Sequence, residues 1–64
     1  MKSRNISETE RVQLRARIES AGVSQEAAGE LVYTPLRTMQ DWLTGKRQMH
    51  RAIYERLLDR LAER

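Results

Sequence analysis

The chain has 64 residues, which is enough for one domain and too few for a large hydrophobic core. It contains no cysteine, so neither a disulfide framework nor a zinc site with thiolate ligands is possible. Twelve Lys and Arg residues against nine Asp and Glu residues give a net charge of +3, and most of the cations are arginine. An arginine-rich chain is compatible with nucleic-acid binding, although the charge alone does not establish it.

Membrane and enzyme functions are not expected from this sequence. No apolar run approaches the roughly 20 residues that span a bilayer, and the N-terminal MKSRNISETE lacks the apolar segment of a signal peptide. His50 is the only histidine, and no cysteine or carboxylate pair lies near it in sequence to build a catalytic or metal site. We therefore expect a cytoplasmic protein that is not an enzyme, has no membrane partner and needs no cofactor, metal or small-molecule ligand.

The N-terminal third of the chain predicts a polar arm and a first helix. Residues 1–6 are polar and are expected to be loose. Ser7 and Glu10 form an S-x-x-E capping box, which begins a helix that runs to about Ala21. Gly22 then stands where a left-handed helix stop is needed. The expected inward face consists of Leu14, Ile18 and Ala21, with Val12 at its margin. The three arginines Arg11, Arg15 and Arg17 are expected to form a solvated face, with a second DNA contact as the less favoured alternative.

A second, short helix is predicted over about residues 25–32. Ser24 is its N-cap, and its small residues include Ala27, Ala28 and Gly29. Glycine inside a helix costs about 1 kcal/mol relative to alanine. We therefore interpret Gly29 as a point at which another helix approaches closely.

A third helix follows after a tight turn. Thr34 is its predicted N-cap, and Pro35 occupies the first turn, where a missing amide hydrogen does no harm. Gly45 is the expected left-handed stop. Met39 and Trp42 are three residues apart and are predicted to face the core together.

The last helix is predicted over about residues 49–62, with His50 on the surface at its N-terminus. Its apolar residues form one stripe at Ile53, Leu57 and Leu61 and a second at Tyr54 and Leu58. Two stripes exceed what one small core needs, so Tyr54 and Leu58 are the predicted dimer interface, with plain core as the alternative. No segment alternates as a strand does, and the fold class is predicted as all-α with four helices.

Two short helices joined by a tight turn, the second exposing polar residues, are typical of a helix-turn-helix, here over about residues 24–45. The residues Ser24-Gln25-Glu26, Gly29, Val32, Met39, Trp42 and Gly45-Lys46 resemble, without a gap, the lambda-repressor-like (Cro/CI, XRE) DNA-binding family. With the flanking helices, the resemblance covers about residues 10–62. TPLRTMQDWLTGKR is also similar to the DNA-binding end of HigA/MqsA-type antitoxins, and the SQ…AAGEL…R.M spacing to small phage regulators encoded beside anti-CRISPR genes.

The family resemblance assigns roles to individual positions. Four residues lie where the family reads bases, namely Leu36, Arg37, Gln40 and Asp41. Five lie where the family contacts the DNA backbone, namely Gln25, Thr38, Thr44, Lys46 and Arg47. The family usually has glycine in the turn where this chain has Tyr33, and a bulky residue with positive φ is uncommon. We therefore expect the turn to differ, with Thr34-Pro35 resetting its geometry.

Side-chain chemistry supports the division between base and backbone contacts. Arg37 can donate a forked pair of hydrogen bonds to guanine, and Gln40 can pair with adenine. Leu36 stands where a polar residue often begins base readout, and it can only contact a thymine methyl group. Asp41 either accepts from cytosine or holds Arg37 in place through their (i, i+4) spacing.

The resulting expectation is a single DNA-binding domain that acts as a homodimeric repressor on a palindromic operator. Autorepression and a phage or mobile-element setting fit the same reading. The alternative is a small protein-interaction module, such as an antitoxin or phage inhibitor, that binds its partner through the last helix. RNA binding is less favoured, because no exposed aromatic platform is expected.

Overall fold

A computed structural model describes residues 4–63, and these residues form four helices and no strand. The helices are α1 (Glu8–Ser20), α2 (Gln25–Glu30), α3 (Leu36–Thr44) and α4 (Arg51–Ala62). The predicted all-α class is therefore confirmed. None of these helices is long and apolar enough to cross a bilayer.

The ends of α1 follow from local sequence signals, with one exception. The predicted capping box is present, because the Ser7 amide donates to Glu10 Oε1 at 2.9 Å and the Glu10 amide donates to Ser7 Oγ at 3.2 Å. Gly22 adopts the left-handed conformation with φ of 72°. The prediction that Ala21 faces inward is wrong, because the helix ends one residue earlier and Ala21 is exposed as its C-cap.

The second helix is shorter than predicted. Ser24 caps it by accepting a hydrogen bond from the Ala27 amide at 3.0 Å. The helix ends at Glu30 because the amides that follow donate hydrogen bonds to carbonyls three residues earlier in the chain. The Val32 amide, for example, donates to the Gly29 carbonyl at 3.0 Å. The connection to α3 therefore takes up residues 31–35.

A glycine is required at position 29 mainly because the backbone of the connection between α2 and α3 passes close to it. The predicted close approach of another helix is a smaller part of the explanation. A Cβ atom at this position would lie 2.5 Å from the carbonyl oxygen of Thr34. The Thr34 amide also donates to the Gly29 carbonyl at 2.8 Å, which holds the two backbones together. The contact with α3 itself is looser, with that Cβ 3.7 Å from Met39 Cβ.

Tyr33 has φ of 55°, the one positive value outside glycine in the described residues, and its side chain is 87% exposed. The expected change of turn geometry is not seen here, because tyrosine itself adopts the left-handed conformation that glycine usually supplies. An L-residue in this region costs roughly 1–2 kcal/mol, and the exposed ring offsets little of that cost by packing.

We expect Tyr33→Gly to stabilise the fold by up to about 1 kcal/mol, after the greater unfolded-state entropy of glycine is subtracted. Tyr33→Ala, which keeps the strained φ, is the matched control and should give no such gain. Urea denaturation followed by circular dichroism measures both. A Tyr33→Gly variant less stable than Tyr33→Ala would show that the turn is not strained at this residue.

The start of α3 differs from the sequence prediction. Pro35 is the N-cap, with φ of −62° and ψ of 152°, and its carbonyl accepts the first helical hydrogen bond from the Met39 amide at 3.0 Å. The Thr34 hydroxyl instead donates to the Val32 carbonyl at 3.1 Å within the turn. The predictions of Thr34 as N-cap and Pro35 inside the helix are therefore wrong. Gly45 ends α3 with φ of 86°, as predicted.

One buried cluster holds the helices together. Its members are Leu14, Ile18, Ala28, Met39, Trp42, Leu43, Met49, Tyr54, Leu57 and Leu61. Met49, predicted as the first residue of the last helix, is instead a core residue that precedes it. His50 is the exposed N-cap of α4, where its Nδ1 accepts from the Ala52 amide at 3.0 Å.

Residues 4–6 pair with the segment that leads into α4, so the prediction of a loose arm is wrong for them. The Ile6 amide donates to the Met49 carbonyl at 3.0 Å, and the Arg51 amide donates to the Arg4 carbonyl at 2.6 Å. The Arg51 guanidinium also binds both carboxylate oxygens of Glu10, with Nη2 to Oε1 at 2.8 Å. The remainder of the predicted arm, residues 1–3, lies outside the described residues.

The ion pair between Glu10 and Arg51 makes stability depend on pH. Hydrogen bonds from Arg51 and then from the Ser7 amide lower the pKa of Glu10 from 4.5 to about 2. Because the folded-state pKa is the lower one, this stabilisation is complete above about pH 4.5 and is lost as the pH falls toward 2.

We expect Glu10→Gln to lower the thermal midpoint near pH 7 and to lose less stability than the wild type between pH 4.5 and 2. Thermal unfolding across this range measures the difference. Glu19→Gln, which removes an exposed carboxylate at the other end of α1, is the control. Parallel pH curves for wild type and Glu10→Gln would contradict the role of this ion pair.

Candidate nucleic-acid interface

The two sides of α3 differ in chemistry. Met39, Trp42 and Leu43 are buried and fix the helix against the core. The residues Arg37, Gln40, Asp41 and Thr44 follow the i, i+3, i+4, i+7 spacing and lie along the opposite side, which we call the polar face of α3. Trp42 is 9% exposed, so its ring is not available to stack on a base.

Three of the four predicted base-reading residues are exposed. Arg37 and Gln40 lie on the polar face, and the Arg37 side chain forms no hydrogen bond or ion pair with any described residue. Leu36, in the first turn of α3, is 36% exposed. The Arg37 side chain can therefore reach a ligand without breaking a hydrogen bond or ion pair to another described residue.

The fourth, Asp41, pairs with a different arginine from the one expected. Asp41 Oδ2 lies 3.6 Å from Nε of Arg47, and the Arg47 amide donates to the Asp41 carbonyl at 3.1 Å. The turn at Gly45 brings Arg47 back over the end of α3. The option in which Asp41 holds Arg37 in place is therefore not the arrangement found.

The predicted backbone contacts are not equally available. Lys46 and Arg47 are exposed in the loop after α3, and the Arg47 side chain is 66% exposed despite its ion pair. The Thr44 hydroxyl donates to the Gln40 carbonyl at 2.9 Å, so it would have to give up this bond to donate to a phosphate. Thr38 and Gln25 are half-buried. Glu26 is exposed beside Gln25 and would repel a nearby phosphate.

Positive charge is concentrated on this part of the fold. Both α1 and the segment 51–63 carry as many cations as carboxylates, and α2 carries carboxylates only. Residues 36–47 have an excess of cations: Arg37, Lys46 and Arg47 against the single carboxylate of Asp41. Residues 36–47 are therefore the described segment with the largest excess of positive charge.

Arg11 adds a further cation that the sequence pattern did not assign to the site. A Cβ atom at Gly45 would lie 2.7 Å from Nη1 of Arg11, so the guanidinium lies directly over this glycine. Glu8 accepts from Arg11 Nη2 at 3.0 Å. No spacing signal links Arg11 to α3, because the two are brought together only by the packing of α1 on α3.

The predicted dimer residues lie on another side of the molecule. Tyr54 is 8% exposed and belongs to the core of its own chain, so it can add little to a subunit contact. Leu58 is half-buried and lines, with Arg17 and Ala16, a groove of about 420 Å³ between α1 and α4. Dimerisation stays a prediction, and Leu58 is now the main candidate for the subunit contact.

The described residues offer arginine, lysine and amide donors on one side of the fold, and no three of their His, Asp and Glu side chains lie close enough together to bind a metal. No protein-family model matches the chain, and no similar curated protein or solved structure was found. The geometry and charge of this surface are therefore the features that bear on function.

Proposed function

We propose that this protein is a sequence-specific double-stranded DNA-binding regulator whose α2 and α3 form a lambda-repressor-like helix-turn-helix. The observation that carries the proposal is the polar face of α3, where the burial of Met39 and Trp42 on the other side leaves the side chains of Arg37 and Gln40 exposed. A helix of this shape fits the major groove of B-DNA, where base edges are exposed.

Residues in the first two turns of α3 make the base contacts. Arg37 donates a forked pair of hydrogen bonds to O6 and N7 of guanine, Gln40 pairs with an adenine edge, and Leu36 contacts a thymine methyl group. Asp41 remains a candidate for the cytosine amino group, at the cost of its ion pair with Arg47. Because α3 is anchored by a buried side, these donors are presented in a fixed geometry, which favours specific recognition.

Backbone contacts fall mainly to the loop after α3. Lys46 and Arg47, which are exposed, would contact phosphates beside the groove, and Gln25, Thr38 and Thr44 are secondary candidates. As a homodimer on a palindromic operator, the protein would place two copies of α3 about 34–36 Å apart. Repression by covering a promoter in the bacterial or infected cytoplasm is the simplest function for such a dimer.

A salt titration tests the proposal without knowledge of the operator. If a dimer neutralises roughly 6–10 phosphates, its affinity for duplex DNA falls about a thousandfold or more between 50 and 200 mM salt. Fluorescence anisotropy with a labelled duplex measures this slope. An affinity that barely changes with salt would rule out docking of this cationic surface on DNA.

A second candidate function is suggested by the groove between α1 and α4. Leu58 and Ala16 give it an apolar floor to which a helix or loop of another protein could bind. Chromatography on heparin and on immobilised random-sequence DNA separates the two functions. A protein-binding module should show retention no greater than its net charge explains, whereas the proposed regulator should be retained more strongly on DNA.

A further inference from the structure

A polar cleft of about 160 Å³ lies where the start of α1 meets the loop after α3. Glu8 and Arg11 line it from α1, and Gly45, Arg47 and Gln48 line it from the loop. It brings together two guanidinium groups from elements that are distant in sequence. None of the base-reading or backbone roles described above uses Arg11.

The position of Arg11 depends on the glycine at the end of α3. Because Gly45 has no side chain, the guanidinium can occupy the space that a Cβ atom would fill, 2.7 Å from Nη1. The Arg11 side chain is 26% exposed, so it is held close to the fold and still reaches solvent. Lys46 is the residue after Gly45, so the positive charges of the loop lie next to the Arg11 guanidinium of α1.

Each arginine of the cleft has its own carboxylate. Arg11 pairs with Glu8 at 3.0 Å, and Arg47 pairs with Asp41 at 3.6 Å. The Glu8 side chain is 82% exposed, and an ion pair with so exposed a partner contributes little free energy in water. A phosphate that can bind both guanidinium groups at once can therefore replace these carboxylates.

We propose that this cleft binds one backbone phosphate of the DNA duplex between Arg11 and Arg47, with Glu8 and Asp41 as internal counter-ions that the phosphate displaces. The proposal rests on the proposed function and deepens it by adding a contact from α1. In the free protein, Glu8 pairs with Arg11 and Asp41 pairs with Arg47. On DNA the guanidinium groups exchange them for a phosphate, which fixes α1 and α3 together against one strand.

The test compares charge variants by the salt dependence of duplex binding. Arg11→Gln should lower the salt slope by up to about 0.9 per subunit and weaken binding by up to about eightfold per subunit at 0.1 M salt, the full effect of one released counter-ion, because Arg47 still contacts the phosphate. Arg11→Lys should keep most of the slope, which separates loss of charge from loss of structure. Arg60→Gln, which removes an exposed cation near the end of α4, is the matched control and should keep the wild-type slope. Circular dichroism checks that each variant is folded.

Glu8→Gln tests the counter-ion role. It should tighten binding in the wild-type background and should not do so in the Arg11→Gln background, because its effect passes through Arg11. A wild-type slope in Arg11→Gln, an equal loss in Arg60→Gln, or an equal gain from Glu8→Gln in both backgrounds would overturn the inference and leave the proposed function standing. A wild-type protein that does not bind duplex DNA would overturn both.

Discussion

Replacing Arg37 with alanine is expected to weaken binding to the specific duplex by about 1–3 kcal/mol per half-site, roughly 5–150-fold, because a bidentate contact to guanine is lost. Binding to random duplex should change far less, because a base contact adds little when the base is wrong. Folding should be unaffected within about 0.5 kcal/mol, since Arg37 is exposed and has no partner among the described residues.

The specific duplex for this comparison is obtained by selecting, from a pool of random duplexes, those that the wild-type protein binds. The selected sequences also show whether the binding site has two-fold symmetry. Competition binding then gives the ratio of specific to random affinity for each variant. Lys46→Ala is the control, and it should weaken both affinities alike because phosphates carry no sequence information. An unchanged affinity ratio in Arg37→Ala would remove this residue from the base-reading set.

Met39→Ala is expected to destabilise the fold by about 2–5 kcal/mol, because the side chain is fully buried and its loss leaves a cavity. A domain of this length has roughly 3–10 kcal/mol of total stability, so the variant should be largely or partly unfolded at 37 °C. DNA binding should fall with the folded fraction, since Met39 fixes α3 against the core.

Thermal unfolding followed by circular dichroism measures the effect, with an expected drop in the midpoint of about 8 °C or more. Gln40→Ala, at the neighbouring exposed position, is the control and should change stability by no more than about 0.5 kcal/mol. Met39→Leu, which nearly conserves volume, should cost less than about 1.5 kcal/mol. A midpoint for Met39→Ala equal to that of Gln40→Ala would contradict the assignment of the two sides of α3.

Features set by neighbouring residues could be predicted from the sequence. The capping box at Ser7 and Glu10 and the left-handed stops at Gly22 and Gly45 depend on side chains within one helical turn. The buried side of α3 follows from the three-residue spacing of Met39 and Trp42. These signals are local, so the sequence alone is enough to place them.

Features set by tertiary contacts could not be predicted. The pairing of residues 4–6 with the start of α4 depends on how α1 packs, as does the placement of Arg11 over Gly45. The choice of Arg47 as the partner of Asp41 depends on the loop after Gly45, whereas the (i, i+4) spacing offers Arg37 as one of two alternatives for Asp41. Threonine is a favourable N-cap residue, but the Thr34 hydroxyl instead donates to the Val32 carbonyl within the turn.

The most direct test of DNA docking by α3 is amide NMR of the labelled protein during titration with a duplex at low salt. Shifts should concentrate at residues 36–47 and extend to Arg11 and Gln25, while the middle and end of α4 stay nearly unchanged. Shifts confined to α4 and its groove with α1, or no shifts at all, would contradict the proposal that the polar face of α3 binds DNA.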